Sequence, residues 1–251
     1  MKSHLVAAAL LLLVAGPASG QLLFDDFNYG ASTGNLTAVS SPNWAAVSGI
    51  ATGPVLYQTS SLSLPGYPSS LTNGAATISS TGTQDVFRLL PAPQAGLIYL
   101  SALVNFSATA SNASPGQPFL TFGDSTPAAL KGKAFARTSA GNLQFGLSNG
   151  APAPTYSATN YSFNTTYLLV LRFNAATGVA ALHVLSTVPV SEPAPLLTGG
   201  ASVADATMQS VVIRQVSGVD GTPTGVIDGI RVSTDWTGST TPVDLMNFDV
   251  K

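Results

Sequence analysis

Apolar and polar side chains alternate along much of this chain. Between residues 97 and 106, Tyr99, Ser101 and Asn105 separate an apolar series formed by Ile98, Leu100, Ala102, Val104 and Phe106. A period of two places each set on its own face of an extended chain, and it therefore predicts a half-buried strand. The same reasoning predicts strands at 23–28, 55–58, 75–80, 86–90, 118–122, 133–138, 142–147, 166–174, 179–187, 208–216 and 226–234.

The connections between these strands are short and rich in Gly, Pro, Asn and Ser. Segment 175–178 ends in Gly178 and predicts a hairpin between the strands on either side of it. Beyond residue 20, no window of a dozen residues has the 3.6-residue period of an amphipathic helix. The pattern therefore predicts an all-β domain, a two-sheet antiparallel jelly-roll sandwich, with a barrel as the alternative.

The first twenty residues have a different pattern. A weakly basic start precedes an apolar run from Leu5 to Ala15, and a helix breaker and small residues follow. This order is typical of a secretory signal peptide, with cleavage expected before Gln21. The apolar run is about half the ~20 residues that a membrane span needs. We therefore expect a signal peptide at 1–20, a sandwich domain at 21–236, a C-terminal tail or strand at 237–251, and a secreted or envelope-surface location.

Chemically versatile side chains are scarce after residue 20, where His183 and Glu192 are the sole members of their types and cysteine is absent. Removal of the expected signal peptide would remove Lys2, so that the mature chain would have eight basic and eleven acidic residues and a net charge of about −3. A negative net charge does not provide the positively charged surface that attracts nucleic acid or an anionic membrane. An exported chain without cysteine must take its stability from the size of its core.

Several segments resemble those of one family of exported bacterial domains, the LamG-like jelly rolls related to concanavalin A-like lectins and glucanases. These segments are 22–29, 96–105, 164–171, 192–193, 213–215 and 228–236. The resemblance implies the jelly-roll fold, but that fold hosts many activities. Residues 241–251 resemble the strand that leads into a type IX secretion sorting domain; either the chain is truncated there or the strand closes the fold.

Catalytic motifs of the resembling family are missing from the sequence. Its glucanases carry a Glu-x-Asp-x-x-Glu strand, whereas Glu192 lies in a proline-flanked loop where a surface role is expected. Two Gly-x-Ser-x-Gly segments, 30–34 and 146–150, lack a following helical pattern, and His183 fits a structural position on a sheet. We therefore predict a non-enzyme. A glycosidase that uses two aspartates remains the alternative, drawn from Asp25, Asp26, Asp85, Asp124, Asp220, Asp228 and Asp235.

Acidic residues in turns leave calcium open as a cofactor. Asp124, Asp220 and Asp228 offer the hard oxygen ligands that Ca²⁺ prefers, although each also fits an ordinary Asx turn.

Other acidic residues suggest a structural role. Because jelly rolls commonly pair their first and last strands, we expect Asp25 or Asp26 to lie within about 10 Å of Asp228 or Arg231.

Aromatic residues outside the predicted strands suggest a ligand. Sugar rings stack on exposed aromatic faces, and Trp44, Tyr67, Tyr156 and Tyr161 are the candidates. In the alternative interpretation, Trp44 and Trp236 fill the core near the two ends of the domain. We expect a secreted, non-catalytic module that binds carbohydrate or mediates adhesion, with a glycan or cell-surface polymer as partner. The other alternative is a purely structural surface protein.

Overall fold

The computed structural model describes residues 20–48, 53–69, 73–109, 115–150, 153–199 and 207–241, and these residues fold almost entirely as β-strands. The strands are β1 Gln21–Asp25, β2 Gly34–Asn35, β3 Ala45–Ser48, β4 Leu56–Gln58, β5 Ala75–Ile78, β6 Asp85–Gln94, β7 Leu97–Ala108, β8 Leu120–Gly123, β9 Lys131–Ser139, β10 Asn142–Ser148, β11 Thr155–Tyr156, β12 Tyr167–Asn174, β13 Val179–Leu185, β14 Leu197–Gly199, β15 Met208–Ile213 and β16 Thr224–Ser233. Two short helices, α1 Leu36–Val39 and α2 Trp236–Thr240, were not expected from the sequence.

The strands form two antiparallel sheets, which confirms the predicted sandwich. The nine-stranded sheet has the order β14-β13-β12-β7-β16-β5-β4-β2, and β1 also pairs with β16. The seven-stranded sheet has the order β11-β10-β9-β8-β15-β6-β3. The predicted hairpin joins β12 to β13, with Gly178 in the left-handed region at φ +67°.

The main core lies between the sheets. Alternate residues of β7 and β12 enter it from the nine-stranded sheet, and β9 and β10 contribute Ala134, Ala136, Leu143, Phe145 and Leu147 from the other. The inward set of β7 is the apolar series that the alternation predicts: Ile98, Leu100, Ala102, Val104 and Phe106. Burying such side chains is the main favourable contribution to folding in a chain without disulfides.

A second, smaller core covers the outer face of the nine-stranded sheet. Tyr99 and Ser101 were expected on a polar face, yet both are buried. Residues of segment 61–69 and helix α2 cover them, so that Tyr67, Leu103 and Trp236 belong to one apolar cluster. Strand β7 is therefore buried on both faces, and the prediction of a half-buried strand is wrong there.

The packed domain continues past residue 236, because Gly238, Ser239 and Thr240 of α2 are buried. The start of the expected tail at 237–251 is thus a helix, and its residues from 242 onward lie outside the described residues. The expected signal peptide also lies outside them, apart from Gly20. Within the described part of the chain, no helix has the length and apolar character to cross a membrane.

Strand β16 contains a bulge at Gly229. Ile227, Ile230 and Val232 point into the main core, and the pairing with β7 shifts register between Asp228 and Arg231. The extra residue therefore places Asp228 and Arg231 on the same outer face, whereas a strict period of two predicts opposite faces. Gly229 has φ +55°, and the Tyr67 hydroxyl donates to its carbonyl at 2.6 Å.

Replacing Gly229 by alanine is expected to lower the free energy of unfolding by roughly 1–3 kcal/mol. The new Cβ would lie 2.5 Å from Cβ of Ser69 and 3.0 Å from Cε1 of Tyr67, in a backbone conformation that favours glycine. Urea denaturation measures this change. Gly96→Ala is the matched control, because its Cβ would have no neighbour within 4 Å; an equal effect of both substitutions would contradict the explanation.

Candidate functional site

A groove runs along one side of the sandwich, between β1, the loop before β3 and strand β6. It consists of two depressions of about 400 Å³ and 280 Å³. Asn43 and Arg88 line both depressions, and the two therefore adjoin. The larger is also lined by Leu23, Pro42, Ala45, Phe87, Leu89, Leu90 and Pro91, and the smaller by Phe24, Asp25, Asp26, Asn28, Tyr29 and Asn73.

Asp25, at the end of β1, fixes the floor of this groove. Its buried carboxylate accepts hydrogen bonds from the Phe27 backbone N–H at 2.8 Å, the Tyr29 hydroxyl at 2.5 Å and Trp44 Nε1 at 2.6 Å. Arg88 Nη1 forms an ion pair with the same carboxylate at 2.5 Å. One acidic side chain thus joins β1, β6 and the loop before β3.

Tyr29 remains a hydrogen-bond donor throughout the ordinary pH range. Burial, and then the charge of the Asp25 carboxylate, raise its pKa far above the ordinary value of a phenol. The ring of Tyr29 also lies edge-on against those of Phe27 and Tyr57, with centroids 6.1 and 5.8 Å apart. These contacts fix the position of the Tyr29 ring in the wall of the groove.

The rim of the groove is polar and open. Asn28, Asn43 and Asn73 are exposed, and no hydrogen bond to another described residue engages their side-chain amides. Phe24 is 57% exposed, and Arg231 Cζ lies 5.8 Å from its ring centroid. Amides that both donate and accept, beside an exposed aromatic ring, are suited to a polyhydroxylated ligand.

Two of the predicted stacking residues are core residues in the structure. Trp44 is 2% exposed and lies parallel to Phe27 at 6.1 Å, with its N–H bonded to Asp25. Tyr67 is 3% exposed, and its hydroxyl bonds to Gly229 and Ser101. Neither ring has a face free for a sugar, and the expectation of an exposed aromatic ring is wrong at both positions.

The other two tyrosines are partly exposed but already engaged. Arg137 Cζ lies 4.1 Å from the ring centroid of Tyr156, whose hydroxyl donates to the Pro115 carbonyl at 2.7 Å. Tyr161 packs edge-on against Phe145 and Tyr167, both with centroids 5.1 Å away. Both rings lie at the β10–β11 end of the seven-stranded sheet, and neither lines the groove.

The acidic residues considered for calcium are mostly occupied by protein donors. Asp124 accepts hydrogen bonds from the backbone N–H groups of Thr126, Ala128 and Ala129, as an Asx turn does. Asp228 accepts from Ser61 Oγ and Leu62 N, both at 2.7 Å, while Asp220 is exposed. No three acidic or histidine side chains of the described residues converge as a metal site would require.

The first and last strands of the sandwich are paired. Phe24 lies opposite Arg231, and Arg231 Nη2 lies 3.9 Å from Asp26 Oδ1, well within the expected 10 Å. Ser69 links the same two side chains, because its hydroxyl donates to Asp26 and accepts from Arg231 Nε at 3.1 Å. Asp26 and Arg231 therefore attach segment 61–69 to the strand pair.

The two scarce residues of the chain meet on the outer face of the nine-stranded sheet. His183 is buried, and its Nε2 lies 3.2 Å from Glu192 Oε1, although neither ring nitrogen makes a hydrogen bond of good geometry. Arg172 donates to Glu192 Oε1 at 2.8 Å, and the Tyr99 hydroxyl donates to Oε2 at 2.7 Å. The expected surface role of Glu192 is therefore wrong, since it fixes the loop after β13.

The His183 side chain is fully shielded from solvent. Burial lowers the pKa of His183, while the Glu192 carboxylate opposes that shift. The His183 ring packs against Trp236, with centroids 5.1 Å apart. The first Gly-x-Ser-x-Gly segment, 30–34, ends at the start of β2, which leads into the four-residue helix α1 that the sequence did not predict. The second segment, 146–150, covers the end of β10. Neither forms the strand-to-helix elbow of a serine hydrolase.

No family model and no curated protein matches this sequence. Among solved structures, a sialidase superposes with a TM-score of 0.52 at 13% identity, over 86% of this chain and 19% of that chain. A carbohydrate-binding module from Bacillus subtilis has a TM-score of 0.37 at 13% identity, over 76% of this chain and 95% of its own. At these identities the sialidase likeness concerns the fold, a β-sandwich that spans about a fifth of that chain.

Proposed function

We propose that this chain is an exported, non-catalytic, LamG-like module that binds carbohydrate in the groove between β1 and β6. The observation that carries the proposal is the convergence of Asn28, Asn43 and Asn73, whose side-chain amides bond to no other described residue, beside the exposed ring of Phe24. Export is supported by the signal-peptide pattern at residues 1–20. A role in adhesion at the cell surface follows from the same binding activity.

The chemistry of the groove matches an uncharged sugar. Amide groups hydrogen-bond hydroxyls as donors and as acceptors, and an aromatic ring packs against the C–H face of a pyranose. Asn43 lies where the two depressions adjoin, and the combined volume suits more than one sugar residue. The prearranged floor around Asp25 keeps the ordering cost of binding low.

The carboxylates of the groove favour binding over hydrolysis. Glycoside hydrolysis needs one carboxyl group as acid and another as base or nucleophile, both facing the sugar. Asp25 is buried and bonded to four donors, and Asp26 bonds to Ser69 and lies beside Arg231. The Asp25 carboxylate is therefore unavailable without breaking the contacts that attach β1 to its neighbours, and Asp26 alone does not supply the two carboxyl groups that hydrolysis needs.

Phe24→Ala is expected to lower the affinity for the bound glycan by roughly tenfold or more, because the ring supplies the apolar contact. The mature chain would first be screened on an array of bacterial, algal and plant polysaccharides, with and without EDTA. The strongest hit would then be titrated with both proteins by calorimetry. Loss of binding in EDTA would indicate a calcium ion in the complex.

Leu56→Ala is the matched control, because Leu56 is 45% exposed and lines neither depression. Its affinity should equal that of the unaltered protein. Equal binding by Phe24→Ala would place the glycan elsewhere, and silence across the array would favour a structural surface protein. Release of reducing sugar from a polysaccharide would overturn the proposal that the module is non-catalytic.

A further inference from the structure

Strand β9 carries an unusual concentration of unpaired positive charge. Lys131, Lys133 and Arg137 lie on this one strand, and none of them forms an ion pair with a carboxylate of the described residues. Every arginine elsewhere in the described residues does form one, namely Arg88, Arg172, Arg214 and Arg231. We call Lys131, Lys133 and Arg137 the basic stripe.

Lys133 and Arg137 of the basic stripe lie on the outer face of the seven-stranded sheet. Ala134 and Ala136 of the same strand belong to the core, and the alternation of the strand therefore turns Lys133 and Arg137 outward. Lys131 lies beyond a register shift of β9 against β8 and is only 9% exposed, and it adds its charge beside Lys133. Four residues separate the Cα atoms of Lys133 and Arg137 by roughly 13 Å.

Neutral groups hold the two outward cations in place. The Arg137 guanidinium lies against the Tyr156 ring and donates to Gln144 Oε1 from Nε at 3.3 Å and from Nη2 at 3.1 Å. Lys133 Nζ donates to the Gly150 carbonyl. These contacts orient the cations without neutralising them, and each side chain keeps further N–H donors for a ligand.

The stripe is electrostatically unfavourable on its own. Burial lowers the pKa of Lys133, and the neighbouring charges of Arg214 and Lys131 lower it further. Arg214 pairs with Asp85, but no carboxylate of the described residues pairs with the stripe itself. Like charges held together repel one another, and an external anion would relieve that repulsion.

We propose that the basic stripe binds the anionic groups, carboxylate or sulfate, of an acidic polysaccharide. A polymer with regularly spaced charges reaches both Lys133 and Arg137, whereas a single small anion reaches one of them. This site is separate from the groove, and its existence does not depend on the proposed function of the groove. It gives the module a second contact with a charged matrix.

Two other anionic partners fit the stripe less well. Membrane binding requires apolar insertion beside the cations, and the exposed large apolar side chains of the described residues lie outside β8–β11: Phe24, Leu56, Leu89, Leu97, Val190 and Val219. Single-stranded nucleic acid binding uses free aromatic faces, and Arg137 covers one face of Tyr156.

The test titrates the mature chain with polygalacturonate, dextran sulfate and neutral dextran, at low and at physiological salt. We expect binding to at least one of the two acidic polymers and none to dextran. Lys133→Gln and Arg137→Gln should each weaken that binding about tenfold, and the double variant should reduce its salt dependence. The preferred polymer identifies the anionic group. Lys133→Arg keeps the charge and should keep the affinity.

Leu56→Glu controls for net charge, because it changes the charge by one unit on the other sheet and should leave binding within about twofold. Phe24→Ala should likewise leave binding to the acidic polymer unchanged, which separates failure of this site from failure of the groove. Thermal unfolding checks that each variant is folded. The proposal would be overturned if the unaltered protein bound neither acidic polymer, or if the double variant bound the acidic polymer as tightly as the unaltered protein does. Binding of anionic vesicles or DNA that is as tight as, or tighter than, binding of the acidic polymer would also overturn it.

Discussion

Replacing Asp25 by alanine is expected to lower the free energy of unfolding by about 3–5 kcal/mol. The substitution leaves the indole N–H of Trp44 and the backbone N–H of Phe27 buried without an acceptor, and it removes the charge that Arg88 pairs with. Tyr29 loses its acceptor as well. The loss is large because one carboxylate serves four donors, so that every donor is affected together.

Urea denaturation followed by tryptophan fluorescence measures this effect, since Trp44 is itself one of the bonded groups. Asp220→Ala is the control: Asp220 is exposed, and its replacement should change the free energy of unfolding by less than about 0.5 kcal/mol. A loss below about 1 kcal/mol for Asp25→Ala would mean that the hydrogen bonds around Asp25 contribute little to stability.

Asp228 is expected to make the protein less stable as the pH rises. Burial raises the pKa of Asp228 to about 7, and its hydrogen bonds only partly oppose this. In the unfolded chain the same carboxyl group titrates near ~3.9. Between these values the folded protein holds a proton that the unfolded chain has released, and the stabilisation is therefore complete below about pH 4 and lost by about pH 7.

Asp228→Asn removes this titration, and the difference between the two proteins isolates it from the other ionisable groups. The variant should gain roughly 2–4 kcal/mol relative to the unaltered protein between pH 4 and pH 8. The measurement is chemical denaturation at several pH values. The Asn side chain keeps one oxygen for Ser61 and Leu62, whereas the Gly229 N–H loses the acceptor it has at Asp228 Oδ1, a cost that is the same at every pH. A difference that stays constant with pH would contradict the prediction.

The sandwich could be predicted because its long strands alternate. In β7 and β12 the inward residues are apolar at every second position, and this pattern identifies both strands and their buried faces. Short strands such as β2, β11 and β14, with two or three residues each, are too short for a period to be visible. The Gly229 bulge also escapes a pattern analysis, because one extra residue reverses the faces that follow it.

The candidate site was less predictable, since it depends on contacts between distant segments. Trp44 looks like a loop residue in the sequence, and its burial depends on Asp25, nineteen positions earlier. Asn28, Asn43 and Asn73 lie in separate loops of no common pattern, and the fold alone brings them together. Glu192 was assigned to the surface because of its flanking prolines, and nothing local reveals that Tyr99 and Arg172 bond to it.

The pairing of β1 with β16 places the start of β1 beside the end of β16, just before helix α2. Gln21 lies opposite Ser233, and the Gly20 backbone N–H donates to Asp235 Oδ2 at 3.2 Å. A mechanical load applied between Gln21 and Ser233 would separate the strand pair one residue pair at a time, from residue 21 towards Asp25. Its hydrogen bonds would then break one after another, and the first firm resistance would come where Asp25 is bonded to Trp44 and Arg88.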